Sequence, residues 1–175
     1  NRENRGGLAA QAGGRRFALD SHRRLVEMYA ETVLGAEPGL LADVREGLLE
    51  EAGFDRVAQL PDALLEAMLA GYQAALRSGD TGAVPADPRA QLRGAIVGVL
   101  ASWNSRRAAR FRRQRGIPDR PGTAVTVQAM VFGNCDERSG TGVAYSRNPN
   151  TGAPGLFGEF LVKAQGEEVV GGHRT

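Results

Sequence analysis

The chain has 175 residues, 42% of them apolar and 24% charged, with a net charge of +2. That apolar share is enough for a core and excludes wholesale disorder, and the single cysteine, Cys135, excludes an internal disulfide and a cysteine-rich zinc site. No run of about 18 apolar residues is present to cross a bilayer, and the polar opening residues lead into no apolar signal core, so a soluble, cytoplasmic protein with no membrane partner is expected.

Asp20 and Ser21 have short oxygen-bearing side chains of the kind that cap helices. Leu25, Met28, Tyr29, Val33 and Leu34 then recur at helical spacing, predicting a first helix from Asp20 to about Leu34 that Gly35 stops. A second is predicted from about Pro38 to Glu51, with Leu40, Leu41, Val44, Leu48 and Leu49 as its stripe and Gly53 as its end. Pro61 suits the first turn of a third, carried by Leu64, Leu65, Met68, Leu69, Tyr72 and Leu76. After a turn-rich loop over 78–85, Asp87 caps and Pro88 opens a long fourth helix. Its buried face is read as Leu92, Ile96, Val99, Leu100 and Trp103, and it continues through a basic run to Arg115 before Gly116 and Pro118 end it. Four amphipathic helices on short connections predict a small bundle.

From Thr123 the period changes to two. Val125, Val127, Ala129 and Val131 alternate with Thr126, Gln128 and Met130, the pattern of a strand covered on both faces. A polar loop over 133–140, a strand over 141–146, a turn over 148–155 and strands over 156–164 and 168–170 follow. Helices first and an antiparallel sheet afterwards give an α+β chain that divides near Pro118.

Several patches could carry chemistry. Phe132-Gly133-Asn134 and the run Ser139-Gly140-Thr141-Gly142 would let backbone amides approach phosphate oxygens, although a plain hairpin turn is the favoured reading because glycine-rich turns are common. No P-loop signature is present. The adjacent carboxylates Glu167 and Glu168 could hold magnesium or simply face solvent. Arg106, Arg107, Arg110, Arg112, Arg113 and Arg115, with Phe111 among them, read either as a solvated helix end that complements the dipole or as a polyanion contact. No nucleic-acid motif accompanies them. His22 is expected to be exposed, and neither it nor His173 has a nucleophile placed beside it.

The stretch Gly122-Thr123-Ala124-Val125-Thr126-Val127-Gln128-Ala129-Met130-Val131-Phe132-Gly133-Asn134 resembles the segment that precedes the Ser-Gly-Thr-Gly hairpin in the pyruvate phosphate dikinase family. The resemblance continues through the hairpin at 139–149 and the run Gly158 to Val170. It extends upstream to Arg16-Phe17-Ala18-Leu19-Asp20-Ser21-His22-Arg23-Arg24 and Ser102 to Ala108, so it covers nearly the whole chain. Departures are Cys135-Asp136 where the family has Met-Gly, His22 for tyrosine, Lys163 for asparagine and His173 for isoleucine.

The resemblance implies a lead-in over 1–19, a helical insertion over 20–117 and antiparallel strands of a partial ATP-grasp unit over 118–175. It implies ATP and Mg2+ as cofactors of an intact, homodimeric enzyme that also uses a monovalent cation. ATP and phosphate would phosphorylate a histidine, releasing AMP and pyrophosphate, and the phosphoryl group would pass to pyruvate to give phosphoenolpyruvate. The family's phosphate clamps, acidic metal ligands and phosphohistidine are expected outside these residues, as suits a piece of a longer protein. The chain is therefore expected to be inactive alone, and no catalytic residue is assigned. The cofactor-binding residues that the resemblance implies are Gln128, Met130 and Val131, on a strand whose backbone faces the adenine, with Met130 covering the base. The alternatives are a phosphoenolpyruvate synthase-like phosphotransferase and a non-enzymatic module that binds through the basic helix.

Overall fold

The computed structural model describes residues 4–11, 14–79 and 81–171; His173 falls outside them. In chain order the elements are α1 (Arg5–Gln11), α2 (Gly14–Tyr29) running into a π-helical turn (Ala30–Leu34), α3 (Leu40–Ala52), a 3-10 turn (Val57–Gln59), α4 (Asp62–Ser78), α5 (Pro88–Ser102), α6 (Arg106–Arg115), β1 (Gly140–Arg147), β2 (Pro154–Val162) and α7 (Gly166–Gly171). The described residues are thus α+β, and their one sheet is a two-stranded antiparallel hairpin. No helix among them is long and apolar enough to cross a membrane.

The core lies where α2, α3 and α4 meet. Leu19, Val26, Ala30, Leu41, Leu65, Met68, Tyr72 and Leu76 form one buried cluster, and each fully buried side chain of this size contributes about 1.5–3 kcal/mol. Gly35 and Gly53 end their helices in the left-handed conformation, and Pro61 immediately precedes α4. Arg16 ties α2 to the 3-10 turn by donating to the carbonyls of Val57 (2.8 Å), Ala58 (3.0 Å) and Leu60.

Six expectations need correction. Helix α2 starts at Gly14, so Asp20 is interior to it and no cap; its carboxylate is committed to Arg23 and Arg24 instead. His22 is buried, at 7% exposure. The long fourth helix is two helices: Asp87 does cap α5 by accepting from the Ala90 amide at 2.9 Å, but the chain breaks after Ser102, and Ser105 then captures the Ala108 amide at 3.2 Å as a fresh cap. Moreover, α5 does not bury its leucine stripe. It approaches the π-helical turn through Gly94 and Gly98, where an added Cβ at Gly94 would lie 2.0 Å from Tyr29 Oη, so Leu92, Val99 and Leu100 stay exposed. The bundle is therefore three packed helices with α5 leaning on one corner.

The remaining two corrections concern strands. Residues 122–131 carry no regular secondary structure and join no sheet among the described residues, because a period of two makes a strand only where a neighbour accepts its hydrogen bonds. The expected strand over 168–170 is α7, where the Glu168 carboxylate bonds back to the Gln165 amide at 2.6 Å and so closes the first helical turn. The hairpin itself matches its reading. Thr141 faces Leu161 and Tyr145 faces Phe157, with an irregularity before Arg147. Asn148 Oδ1 accepts from the amides of Asn150 and Thr151 in the turn.

Candidate functional site

Asp20, Arg23 and Arg24 are three and four residues apart, which puts them on one side of α2. Asp20 Oδ1 accepts from Arg23 Nε (3.0 Å) and Nη2 (2.8 Å), and Oδ2 accepts from Arg24 Nε at 2.9 Å. Arg24 also reaches α7, with Nη1 2.8 Å from Glu167 Oε1 and Nη2 3.3 Å from Glu168 Oε1. Burial alone would raise the Asp20 carboxyl, but Arg23 and Arg24 outweigh it and hold the group below its usual range. Burial opposes the charge on Arg24, and its carboxylate partners outweigh that and keep it protonated.

The loop after Phe132 closes the arrangement. Asn134 Nδ2 donates to Asp20 Oδ2 at 3.4 Å, and Asn134 Oδ1 accepts from Gln165 Nε2 at 3.0 Å. With the Gln165 amide on Glu168 and Glu168 on Arg24, the contacts form a ring: Asp20, Asn134, Gln165, Glu168, Arg24. The backbones meet as closely as the side chains. A Cβ on Gly133 would fall 2.3 Å from the Ala164 carbonyl oxygen, so only glycine fits this crossing. Phe132 packs edge-on against Phe17 of α2, with ring centroids 5.1 Å apart.

Residues of this ring line two cavities. One, of about 340 Å³, has a mixed lining that includes the charged side chains of Arg16, Asp20, Arg23, Arg24, Lys163 and Glu168. The other, of about 280 Å³, is mainly apolar. Leu8, Leu25, Met28, Met130 and Phe132 wall it, and Asn4, Arg5, Ser21, His22, Arg24 and Gln165 supply polar groups. Ser21 Oγ and His22 Nδ1 are buried without a partner among the described residues. Burial, with Arg5 nearby, pushes His22 down to about 4, so the ring is neutral at pH 7.

Of the three residues singled out for adenine, Met130 lines the apolar cavity. Gln128 and Val131 line neither cavity, and Val131 is 92% exposed. Phe132, Gln165 and the α2 residues fall inside the stretches of family resemblance but form no chemical motif in the sequence, because their role depends on contacts with partners as far as 143 positions away. For magnesium, Glu167 and Glu168 do not fit, since both are spent on Arg24. Among the described residues no three His, Cys, Asp or Glu side chains group to hold a metal. The solvent-facing reading of that pair also fails for Glu168, which is buried.

On α6, Arg112 is no solvated helix end. It stacks 4.0 Å from the centroid of the Trp103 ring and pairs with Asp119 at 2.7 Å. Arg106, Arg107, Arg110, Arg113 and Arg115 are exposed.

Residues 23–175 match the model of the pyruvate phosphate dikinase AMP/ATP-binding domain. The pyruvate, phosphate dikinase of Rhizobium meliloti is 44% identical over 168 residues, covering 96% of this chain and 19% of the relative. That of Clostridium symbiosum is 43% identical, covering 97% of this chain and 20% of the relative. The chloroplastic pyruvate, phosphate dikinase 1 of Zea mays is 43% identical over the whole chain and 18% of the relative. The chain spans about a fifth of the length of these curated relatives, and it belongs to the pyruvate phosphate dikinase AMP/ATP-binding domain family.

Proposed function

We propose that this chain supplies the base-binding wall of an ATP-grasp nucleotide site in a pyruvate phosphate dikinase, with residues 20–117 as its helical insertion and 118–175 as part of its β subdomain. The whole enzyme would interconvert ATP, phosphate and pyruvate with AMP, pyrophosphate and phosphoenolpyruvate through a phosphohistidine, with Mg2+ held outside the described residues. Such a phosphotransferase would act in the cytoplasm as a homodimer. The observation that carries this reading is the apolar cavity walled by Met130 and Phe132. At about 280 Å³ it lies just under the roughly 300–1,000 Å³ usual for small-molecule sites, a size for a base rather than a whole nucleotide. Met130 would cover one face of the adenine by dispersion, and Phe132, fixed against Phe17, would hold the segment in place. Gln128 and Val131, both exposed, would offer their backbone groups to the sugar and the base edge beside the cavity.

Phosphoryl transfer is mostly positioning and charge neutralisation. A chain that contributes the base wall and no magnesium ligand therefore binds without catalysing. Calorimetric titration tests this. AMP and MgATP are expected to bind the chain with affinities within a few-fold of each other, because the base carries the contact. If neither saturates, the reading fails; if MgATP binds far more tightly than AMP, the phosphates and not the base are being held.

A further inference from the structure

The apolar cavity has one polar group whose orientation the fold dictates. Gln165 is 4% exposed and lines the cavity. Its amide nitrogen is committed to Asn134 Oδ1 at 3.0 Å, and no donor among the described residues reaches its Oε1. The orientation follows from charge. Asp20, held ionised by Arg23 and Arg24, can only accept a hydrogen bond. Asn134 must therefore turn its NH₂ toward Asp20, which leaves its oxygen toward Gln165. Gln165 must in turn offer its NH₂ to Asn134, and its oxygen is left over. A carboxylate two residues away in the chain of contacts thus fixes which end of a buried amide is free.

We infer that Gln165 is a specificity-determining residue of this cavity, with Oε1 accepting from the exocyclic amine of a 6-aminopurine and excluding 6-oxopurines. The inference rests on the base-binding reading given above. Adenine carries an N–H donor at the 6-position, whereas guanine and hypoxanthine carry an oxygen there. An oxygen facing Gln165 Oε1 would leave two acceptors opposed, and a site built to pair with a ligand N–H rejects the analogue that lacks it. Gln165 cannot relieve the clash by turning over, because its NH₂ would then leave Asn134 and its oxygen would face the oxygen of Asn134.

Ligand-observed NMR of the chain with adenosine and with inosine tests this without relying on phosphate contacts, and it reads affinities into the millimolar range. Wild type is expected to prefer adenosine by about ten-fold or more. Gln165→Leu should reduce that preference to near unity. Asn134→Ala is the sharper probe, because it releases the Gln165 amide to present either end. Adenosine should then weaken while inosine tightens, and structural damage would weaken both. If wild type binds the two nucleosides equally, or if Asn134→Ala keeps the wild-type ratio, the inference is overturned and the base pocket stands. If neither nucleoside binds, the base pocket fails and the inference fails with it.

Discussion

Replacing Arg24 with methionine isolates the contact that ties α2 to α7. The guanidinium serves Asp20, Glu167 and Glu168, and these partners differ in burial. Glu168 is 7% exposed, whereas the side chain of Glu167 is 53% exposed. Removing the cation leaves the Glu168 carboxylate buried without a counter-charge, at a cost of about 3–5 kcal/mol. Glu168→Gln removes the charge yet leaves an oxygen for the Gln165 amide, so about 1–3 kcal/mol is expected. The double variant contains no stranded Glu168 charge, so it should be more stable than the two single losses predict, with a coupling of about 1–3 kcal/mol. Glu167→Gln should cost less than about 1 kcal/mol, because solvent screens that half-exposed pair. Urea unfolding followed by circular dichroism gives all four stabilities. The reasoning is refuted if the Arg24 and Glu168 losses add to within about 0.5 kcal/mol, or if Glu167→Gln costs as much as Glu168→Gln.

Three further outcomes are expected. The His22 ring takes a proton near 6.5 in the unfolded chain but only at about 4 in the fold. Between those values the unfolded state binds more protons, so stability falls as pH drops from about 6.5 to about 4, by up to about 3 kcal/mol. In His22→Phe this part of the pH dependence should vanish, as thermal melts across that range would register. Gly133→Ala forces a Cβ against the Ala164 and Gly140 backbones. It should cost about 1–3 kcal/mol, which at this chain length lowers Tm by about 3–10 °C; an unchanged melt would mean that the crossing is loose. Lys163 has a left-handed backbone, with φ of 51°, a region that asparagine tolerates better than lysine. Lys163→Asn should therefore raise Tm measurably, provided the loss of its exposed pair with Glu137 is worth as little as surface pairs usually are.

The helical part of the fold was legible because local chemistry decided it. The Asp87 cap with Pro88 behind it, and Gly35, Gly53 and Gly116 at helix ends, act on backbone groups within four residues. The turn between β1 and β2 is equally local, since Asn148 binds amides only two and three positions ahead. The errors arose where a local signal had a distant competitor. Asp20 has the side chain of a cap, but Arg23 and Arg24 claim it inside a helix that had already begun. The leucine stripe of α5 has the right spacing to be buried, yet Gly94 and Gly98 allow the opposite face to approach the π-helical turn more closely. Residues 122–131 have strand periodicity, and periodicity cannot report whether a second strand is present.

The candidate site fails to show in the sequence for the same reason in stronger form. Its ring draws Asp20 and Arg24 from one helix, Asn134 from a turn, and Gln165 and Glu168 from another helix start, across sequence separations of 114 and 31 for the two amide contacts. No motif of contiguous residues encodes that set. Glu167 and Glu168 illustrate the loss. Side by side they read as one acidic pair, either a metal ligand or a solvated face. Folded, one is exposed and the other is buried against Arg24 with its second oxygen on the Gln165 amide. Adjacent identical residues acquire different roles because α7 begins between the ring and solvent, and a helix turns successive side chains about 100° apart. The sequence pattern could therefore identify the segment that bears Met130, but only the closed ring shows that Gln165 has a single amide orientation to offer.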